Sequence, residues 1–289
     1  MSTVYLNGNF MPLEKAQIPV LDRGFIFGDG VYEVIPSYSG KPFRLKEHLK
    51  RLQSNLDSIR LKNPYTAAQW AKLIAQLVEQ NQDKDQSIYL HITRGPAKRD
   101  HFFPTSVQPT VFMMSTPLQR TPPEILKTGV AAITAQDNRW LRCDIKSISL
   151  LPNVLLRQLA ADHGAAETIL IRDGFLTEGA ASNIFVIKNG VVLAPPKNHL
   201  ILPGITYDVV LELAATHSIP YEIRPISEIE VRSAQELWMT SSGREILAIT
   251  LLNGQPIGDG EPGKLFWRMF QLYQDYKASV MRQSETQTI

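Results

Sequence analysis

Apolar and polar positions along the chain follow two periods, near two and between three and four, and the changeovers mark the elements. Val4-Tyr5-Leu6 and Phe10 flank Asn7-Gly8, the pattern of two strands joined by a type I′ turn. A second hairpin is expected over 31–44, turning at Ser39-Gly40. Leu45, Leu49, Leu52, Leu56 and Ile59 then recur at three- and four-residue spacing, which predicts an amphipathic helix to about Arg60. Another helix fits 66–80 after the Asn63-Pro64 break, and strands fit 87–93 and 109–115. Strands with helices packed on them make this first part α+β.

Thr116 to Pro123 is polar, proline-rich and poor in helix signals. It places a linker at 118–123, between a small α+β domain over 1–117 and a larger α/β domain over 124–289. In the second domain a strand over 129–136 leads toward Lys146, and Pro152 opens a helix continued by 153–162. Strands are expected at 168–172, 182–188, 191–194 and 236–240. Gly204-Ile205-Thr206 starts a helix with Val209, Val210, Leu213 and Ala214 on its apolar side. A terminal helix fits 265–276, followed by a frayed polar tail over 283–289.

Composition narrows the function classes. With 289 residues, 44% of them hydrophobic, the chain can bury one large core or two medium ones, and two domains fit its length better. Thirty Lys+Arg against 28 Asp+Glu provide no basic field for nucleic acid or an anionic membrane. No signal peptide or membrane-spanning apolar run is evident. One cysteine, Cys143, and six scattered histidines provide neither an intrachain disulfide nor zinc-type ligand spacing. A cytoplasmic protein without a metal is the expectation.

Lys146 is the residue that stands out. It precedes Ser147 and an apolar run at Ile148, Leu150 and Leu151. A lysine in apolar surroundings has its neutral amine favoured, which suits Schiff-base chemistry; alone, it reads more readily as an edge-of-strand lysine snorkelling to water, and the other motifs reverse that preference. Glu178, between two expected strands, is either a solvated turn residue or a carboxylate that holds a proton on a pyridine-type nitrogen. Three elements suit an anion: Gly204-Ile205-Thr206 at a helix start, Thr240-Ser241-Ser242-Gly243 after a strand, and Arg51 on the rim of the 45–59 stripe. Each also reads as a cap, a loop or a solvated face. Arg99 and His101 suit a small carboxylate, or an ordinary charged loop. Tyr32, straight after Gly28-Asp29-Gly30, either aims its hydroxyl into a cleft or fills the core.

Taken together, these stretches resemble the fold-type IV pyridoxal-phosphate enzymes, and most closely the D-amino-acid aminotransferases. The resemblance rests on Asp22-Arg23-Gly24, Phe27-Gly28-Asp29-Gly30-Val31-Tyr32-Glu33-Val34 and Glu47-His48-Leu49-Lys50-Arg51-Leu52. It continues through Thr93-Arg94-Gly95, Arg99-Asp100-His101 and Trp140-Leu141-Arg142-Cys143-Asp144-Ile145-Lys146-Ser147. Thr177-Glu178-Gly179, Ser182-Asn183-Ile184-Phe185, Gly204-Ile205-Thr206 and Thr240-Ser241-Ser242 complete it, in family order over nearly the whole chain.

The resemblance implies a two-domain α+β fold with pyridoxal 5'-phosphate at the domain interface. It implies that Lys146 forms the Schiff base, that Glu178 pairs with the pyridinium nitrogen, and that Arg51, Ile205, Thr206 and Ser242 hold the phosphate. Tyr32, Arg99 and His101 match the family's trap for the substrate carboxylate; the arginine and histidine there reach across from a partner subunit, so a homodimer is implied. The implied reaction exchanges an amino group between D-alanine or D-glutamate and pyruvate or 2-oxoglutarate. The alternatives are an (R)-selective amine transaminase, a branched-chain L-aminotransferase or a lyase of the same fold. Branched-chain enzymes lack the Arg-x-His loop, and aminodeoxychorismate lyases differ around Tyr32 and Arg99. A carrier of the cofactor without turnover is the reading from another class, and intact Lys146 and Glu178 count against it. The chain departs from close relatives at Ala180 and Ala181, where serines are common, and at Gly243, where a hydroxyl residue is common.

Overall fold

A computed structural model of the chain describes residues 2–106 and 108–283. The expected tail over 283–289 lies, beyond Gln283, outside the described residues. The chain forms two compact units, Met1–Gln119 with Ile145–Leu150, and Arg120–Asp144 with Leu151–Ile289.

The first unit holds β1 (Thr3–Leu6), β2 (Asn9–Pro12), α1 (Arg23–Phe27), β3 (Gly30–Tyr38), β4 (Lys41–Pro42), α2 (Leu45–Ser58), α3 (Ala67–Gln80), β5 (Gln86–Thr93) and β6 (Thr110–Pro117). Its six strands form one antiparallel sheet in the order β2-β1-β6-β5-β3-β4. Asn7 and Gly8 both have positive φ, as do Ser39 and Gly40, and these residues close the two expected hairpins. Thr66 caps α3 in a reciprocal capping box with Gln69. Trp70, Ile74 and Leu77 of α3 and Leu49, Leu52 and Leu56 of α2 bury against Val31, Ile35, Ile88, Leu90 and Ile92 of the sheet.

The second unit holds α4 (Pro123–Thr128), β7 (Val130–Gln136), α5 (Leu151–Asp162), β8 (Glu167–Arg172), β9 (Phe175–Gly179), β10 (Asn183–Lys188), β11 (Val191–Ala194), α6 (Ile205–Thr216), β12 (Tyr221–Ile223), α7 (Glu228–Arg232), β13 (Glu236–Ser241), β14 (Glu245–Leu252), β15 (Gln255–Pro256) and α8 (Lys264–Gln283). Its sheet runs β12-β11-β10-β13-β14-β7-β8-β9, with β15 on β14. The β11–β12, β14–β7 and β7–β8 pairs are parallel and the others antiparallel, so the sheet is mixed. Ile169, Ile184, Val186, Leu237, Met239 and Ile249 form the centre of its core.

Three expectations change. Pro123 sits at the start of α4, because proline is preorganised for a first helical turn, so the expected linker runs into a helix. Glu178 lies within strand β9 rather than between strands. Lys146 belongs to the first unit, not to the larger C-terminal one. Val31 bridges to Ser147, the Tyr32 N–H donates to the Lys146 carbonyl, and Ile145 is buried in the first core. None of the described helices is long and apolar enough to cross a membrane.

Candidate functional site

In the first unit the Lys146 segment is held from both sides. The Tyr32 N–H donates to the Lys146 carbonyl at 3.0 Å, the Ile148 N–H to the Gly30 carbonyl at 3.2 Å, and the Lys146 N–H to Asn55 Oδ1 at 3.2 Å. Glycines let the chains approach so closely: a Cβ on Gly28 would collide with Ser149 Oγ, and one on Gly30 with the Ile92 carbonyl. With its backbone fixed, half-buried Lys146 places Nζ 4.2 Å from the Tyr32 ring centroid. The expected pairing of a glycine turn with Tyr32 thus becomes a bed for the lysine.

Tyr32 lies on the face of β3 opposite the α2-packed core, beside the Tyr89 ring at 5.7 Å between centroids. The Tyr89 hydroxyl and His91 Nδ1 are 2.7 Å apart. Burial, with a smaller contribution from Tyr32, pushes the Tyr89 phenol up to about 12. Tyr89 and His91 do not stand out in the sequence; their two-residue spacing opposite Tyr32 is the available signal.

On the other face, Arg51 is buried within the apolar stripe of α2, not on its rim. Its Nε donates to Glu33 Oε1 at 2.8 Å and its Nη2 to Glu33 Oε2 at 2.7 Å, while His48 Nδ1 lies 2.8 Å from Oε2. Burial acts to raise the Glu33 carboxyl, but the Arg51 guanidinium and His48 outweigh it and bring the group to about 2. Burial lowers His48. Glu33 and His48 lie inside the matching stretches, yet only the fold shows that they face each other.

Arg99 and His101 are exposed on the loop after β5. Both meet Phe27: Arg99 Cζ is 5.5 Å from its ring centroid and the His101 ring 5.4 Å. Arg23 stacks on the same ring at 4.8 Å and donates to the Asp100 carbonyl, so α1 anchors the loop.

In the second unit, Glu178 is 5% exposed. Oε1 accepts from Arg139 Nη1, and Oε2 accepts from Asn183 Nδ2 at 3.1 Å and from the Leu202 N–H at 3.0 Å. Burial pushes its carboxyl up to about 7 against the pull of Arg139. Ile205 and Thr206 occupy the buried first turn of α6, behind Gly204, an N-cap with no side chain to accept from the first-turn N–H groups. A Cβ on Gly204 would collide with Asn183 Oδ1, so this glycine keeps α6 against the amide that holds Glu178. Ser242 sits in the turn between β13 and β14, and Thr240 pairs in register with Asn183. The Thr240 hydroxyl is buried without a hydrogen-bond partner among the described residues. Asn183 and Thr240 enter the sequence reading only as parts of motifs, and Arg139, just before the stretch over 140–147, not at all; their buried polarity is invisible until the strands are paired.

The three departures differ in setting. Ala180 packs with Leu156 and Leu170, where a hydroxyl would enter an apolar cluster. Ala181 and Gly243 are exposed, and nothing stands within 4 Å of a Cβ on Gly243.

The second unit thus offers a buried acceptor, a helix start with free N–H groups and an orphaned hydroxyl, and the first offers a fixed lysine. These are the groups that a phosphorylated pyridine needs. Residues 30–252 match the family model for amino-transferase class IV, and the chain belongs to this family. It is 40% identical over 276 residues to the D-alanine aminotransferase of Staphylococcus epidermidis, covering 96% of this chain and 98% of that one. It is 42% identical over 262 residues to the D-alanine aminotransferase of Bacillus licheniformis, covering 91% and 92%. Among solved structures, a branched-chain amino acid aminotransferase from Escherichia coli superposes with a TM-score of 0.86 at 24% identity, covering 93% and 92%. That likeness establishes a shared fold. The chain is an aminotransferase of the fold-type IV architecture.

Proposed function

We propose that the protein transfers the amino group of D-amino acids, converting D-alanine and 2-oxoglutarate to pyruvate and D-glutamate. Pyridoxal 5'-phosphate supplies a carbonyl that takes up the amine and a ring that stores the electron pair left when the α-proton departs. The buried Glu178 carboxylate carries this reading, because it is an acceptor in a dry, donor-lined setting that can hold a proton on the ring nitrogen.

Lys146 is assigned two tasks: holding the cofactor covalently, and then moving the proton between the substrate α-carbon and the cofactor. Ile205 and Thr206 direct first-turn N–H groups and a hydroxyl at the phosphate, with Ser242 and Arg51 as further donors. Arg51 is rigid for this role because Glu33 grips it. Tyr32, Arg99 and His101 anchor the substrate carboxylate. Arg99 and His101 lie on an exposed loop, which fits their serving the site of a second copy in a homodimer. The lysine serves one face of the cofactor, so the hand of the amino acid follows from where its carboxylate is anchored. The relatives from S. epidermidis and B. licheniformis, both D-alanine aminotransferases, support the D-specific reading. The cytoplasm is the compartment proposed.

Single-turnover mixing of the purified holoenzyme with D-alanine, L-leucine and an (R)-amine tests the assignment. D-alanine should bleach the absorption of the lysine-bound cofactor, and Lys146→Ala should remove that absorption. Conversion by L-leucine but not D-alanine would overturn the D-specific reading. Arg99→Ala should keep the absorption but lose D-amino-acid turnover.

A further inference from the structure

Glu178 takes one of its hydrogen bonds from a residue whose own orientation is fixed elsewhere. Arg139 is 7% exposed, and three of its contacts point away from Glu178. Its Nε donates to Asp137 Oδ1 and its Nη2 to Asp137 Oδ2, each at 2.9 Å, and Nη2 also donates to the Leu200 carbonyl at 3.2 Å. Asp137 is held in turn by the Thr177 hydroxyl at 2.9 Å and by Arg172 Nη2 at 3.2 Å. This bidentate grip leaves Nη1 aimed at Glu178 Oε1.

The partners of Glu178 have one property in common: all are donors. Arg139 Nη1 and the Leu202 N–H can only donate. Asn183 is oriented by a second bond from the same Nδ2 to the Leu202 carbonyl at 2.9 Å, so its amide also presents a donor. A protonated Glu178 would carry a hydroxyl with no acceptor among these partners. An ionised Glu178 accepts all three and keeps a lone pair for a fourth donor.

The charges facing Glu178 are Arg139, Asp137 and, behind them, Arg172, with the Cys143 thiol also nearby. Two carboxylates and two guanidiniums balance. Without Arg139, Arg172 would stay on Asp137 and Glu178 would lose the guanidinium that touches it.

We propose that Arg139 is a positioning residue that keeps Glu178 ionised, so that the proton shared with the cofactor ring resides on the ring nitrogen rather than on the carboxyl. This rests on the proposed pairing of Glu178 with that nitrogen. Arg139 touches neither cofactor nor substrate in this role; it acts through Glu178. The carboxyl is poised near neutrality, at about 7, so the loss of one cation is enough to tip it. A neutral Glu178 would instead donate its own proton to an unprotonated ring, and the ring would be a weaker electron sink.

The test uses Arg139→Gln, Arg139→Lys and the charge-balanced double variant Asp137→Asn/Arg139→Gln, which spares Asp137 from being left unpaired. The first readout is ¹⁵N NMR of ring-labelled cofactor bound to each protein at neutral pH. Wild type should show a pyridinium-type shift, Arg139→Gln and the double variant a pyridine-type shift, and Arg139→Lys a partial return. The second is ¹³C NMR titration of the Glu178 carboxyl in the cofactor-free chain, assigned with Glu178→Gln. Its midpoint should rise by about one unit or more in Arg139→Gln over wild type, and by a similar amount in the double variant over Asp137→Asn alone, the size of one lost charge-assisted bond.

Unchanged ring shift and unchanged midpoint in a folded Arg139→Gln variant would overturn the proposal, as would a double variant with the same midpoint as Asp137→Asn alone. If the midpoint rises while wild type itself shows a pyridine-type ring, Arg139 controls Glu178 but the Glu178–ring reading fails. Failure of wild type to hold the cofactor on Lys146, read by the mass of the borohydride-reduced Lys146 peptide, would sink the proposed function; the cofactor-free titration still decides the hold of Arg139 on Glu178.

Discussion

Each unit buries a carboxylate against an arginine, Glu33 on Arg51 and Glu178 on Arg139, and the two carboxylates move in opposite directions. Glu33 falls from 4.5 to about 2 and Glu178 rises from 4.5 to about 7. Burial is the largest influence on both and raises both. What differs is how each arginine divides its donors. Arg51 gives Glu33 two nitrogens, and His48 adds a third contact. Arg139 commits Nε and Nη2 to Asp137 and gives Glu178 only Nη1, with the Asp137 charge opposing. One site holds a carboxylate permanently charged and makes a rigid arginine. The other leaves a carboxylate able to respond to what binds it.

Removing Glu33 should have the largest effect. Glu33→Gln leaves the Arg51 guanidinium buried without its counter-charge, and a cost of about 3–5 kcal/mol is expected in chemical unfolding. A loss under about 1 kcal/mol would show that water reaches Arg51 and that the two sites are not so different.

The pH dependence of stability separates the pair next. Glu33 is lowered in the folded chain, so its contribution is present above 4.5 and disappears as pH falls toward about 2, on the order of 3 kcal/mol. Glu178 is raised, so its contribution is present below 4.5 and is lost as pH rises through about 7. Unfolding measured across pH should therefore lose the acid leg in Glu33→Gln and the neutral leg in Glu178→Gln. Identical profiles in both variants would break the comparison.

Gly204→Ala should cost about 1–3 kcal/mol, as overpacking does, because its methyl displaces Asn183. It should also weaken cofactor affinity, measured by equilibrium dialysis; intact affinity would remove Asn183 from the support of Glu178. The smallest effect is expected from Asp137→Asn, which lightens the demand on Arg139. The Glu178 midpoint should then drop below about 7 in a ¹³C titration, and a rise would show that Asp137 matters only for aiming Arg139.

Much of this molecule is legible in one dimension. The hairpins at Asn7-Gly8 and Ser39-Gly40 follow from residues that accept positive φ, and α2, α3 and α6 follow from apolar spacing, with a local cap at α3. Strand β9 escapes the sequence because Thr177 and Glu178 are polar residues on a buried strand, which erases the alternation that marks strands. Strand β14 escapes it because the run from Ile246 to Ile249 is buried throughout and carries no period of two. The short helices α1, α4 and α7 are too brief to show a helical period.

The sequence by itself determined which residue types recur at family spacing, and so named Lys146 and Glu178, because motif order and local backbone preference are written along the chain. Tertiary structure alone decided that the Lys146 segment lies on β3, that Arg51 is claimed by Glu33 and that Arg139 divides itself between two carboxylates. Those outcomes depend on desolvation and on charges brought together from distant positions, and neither exists until the chain is folded.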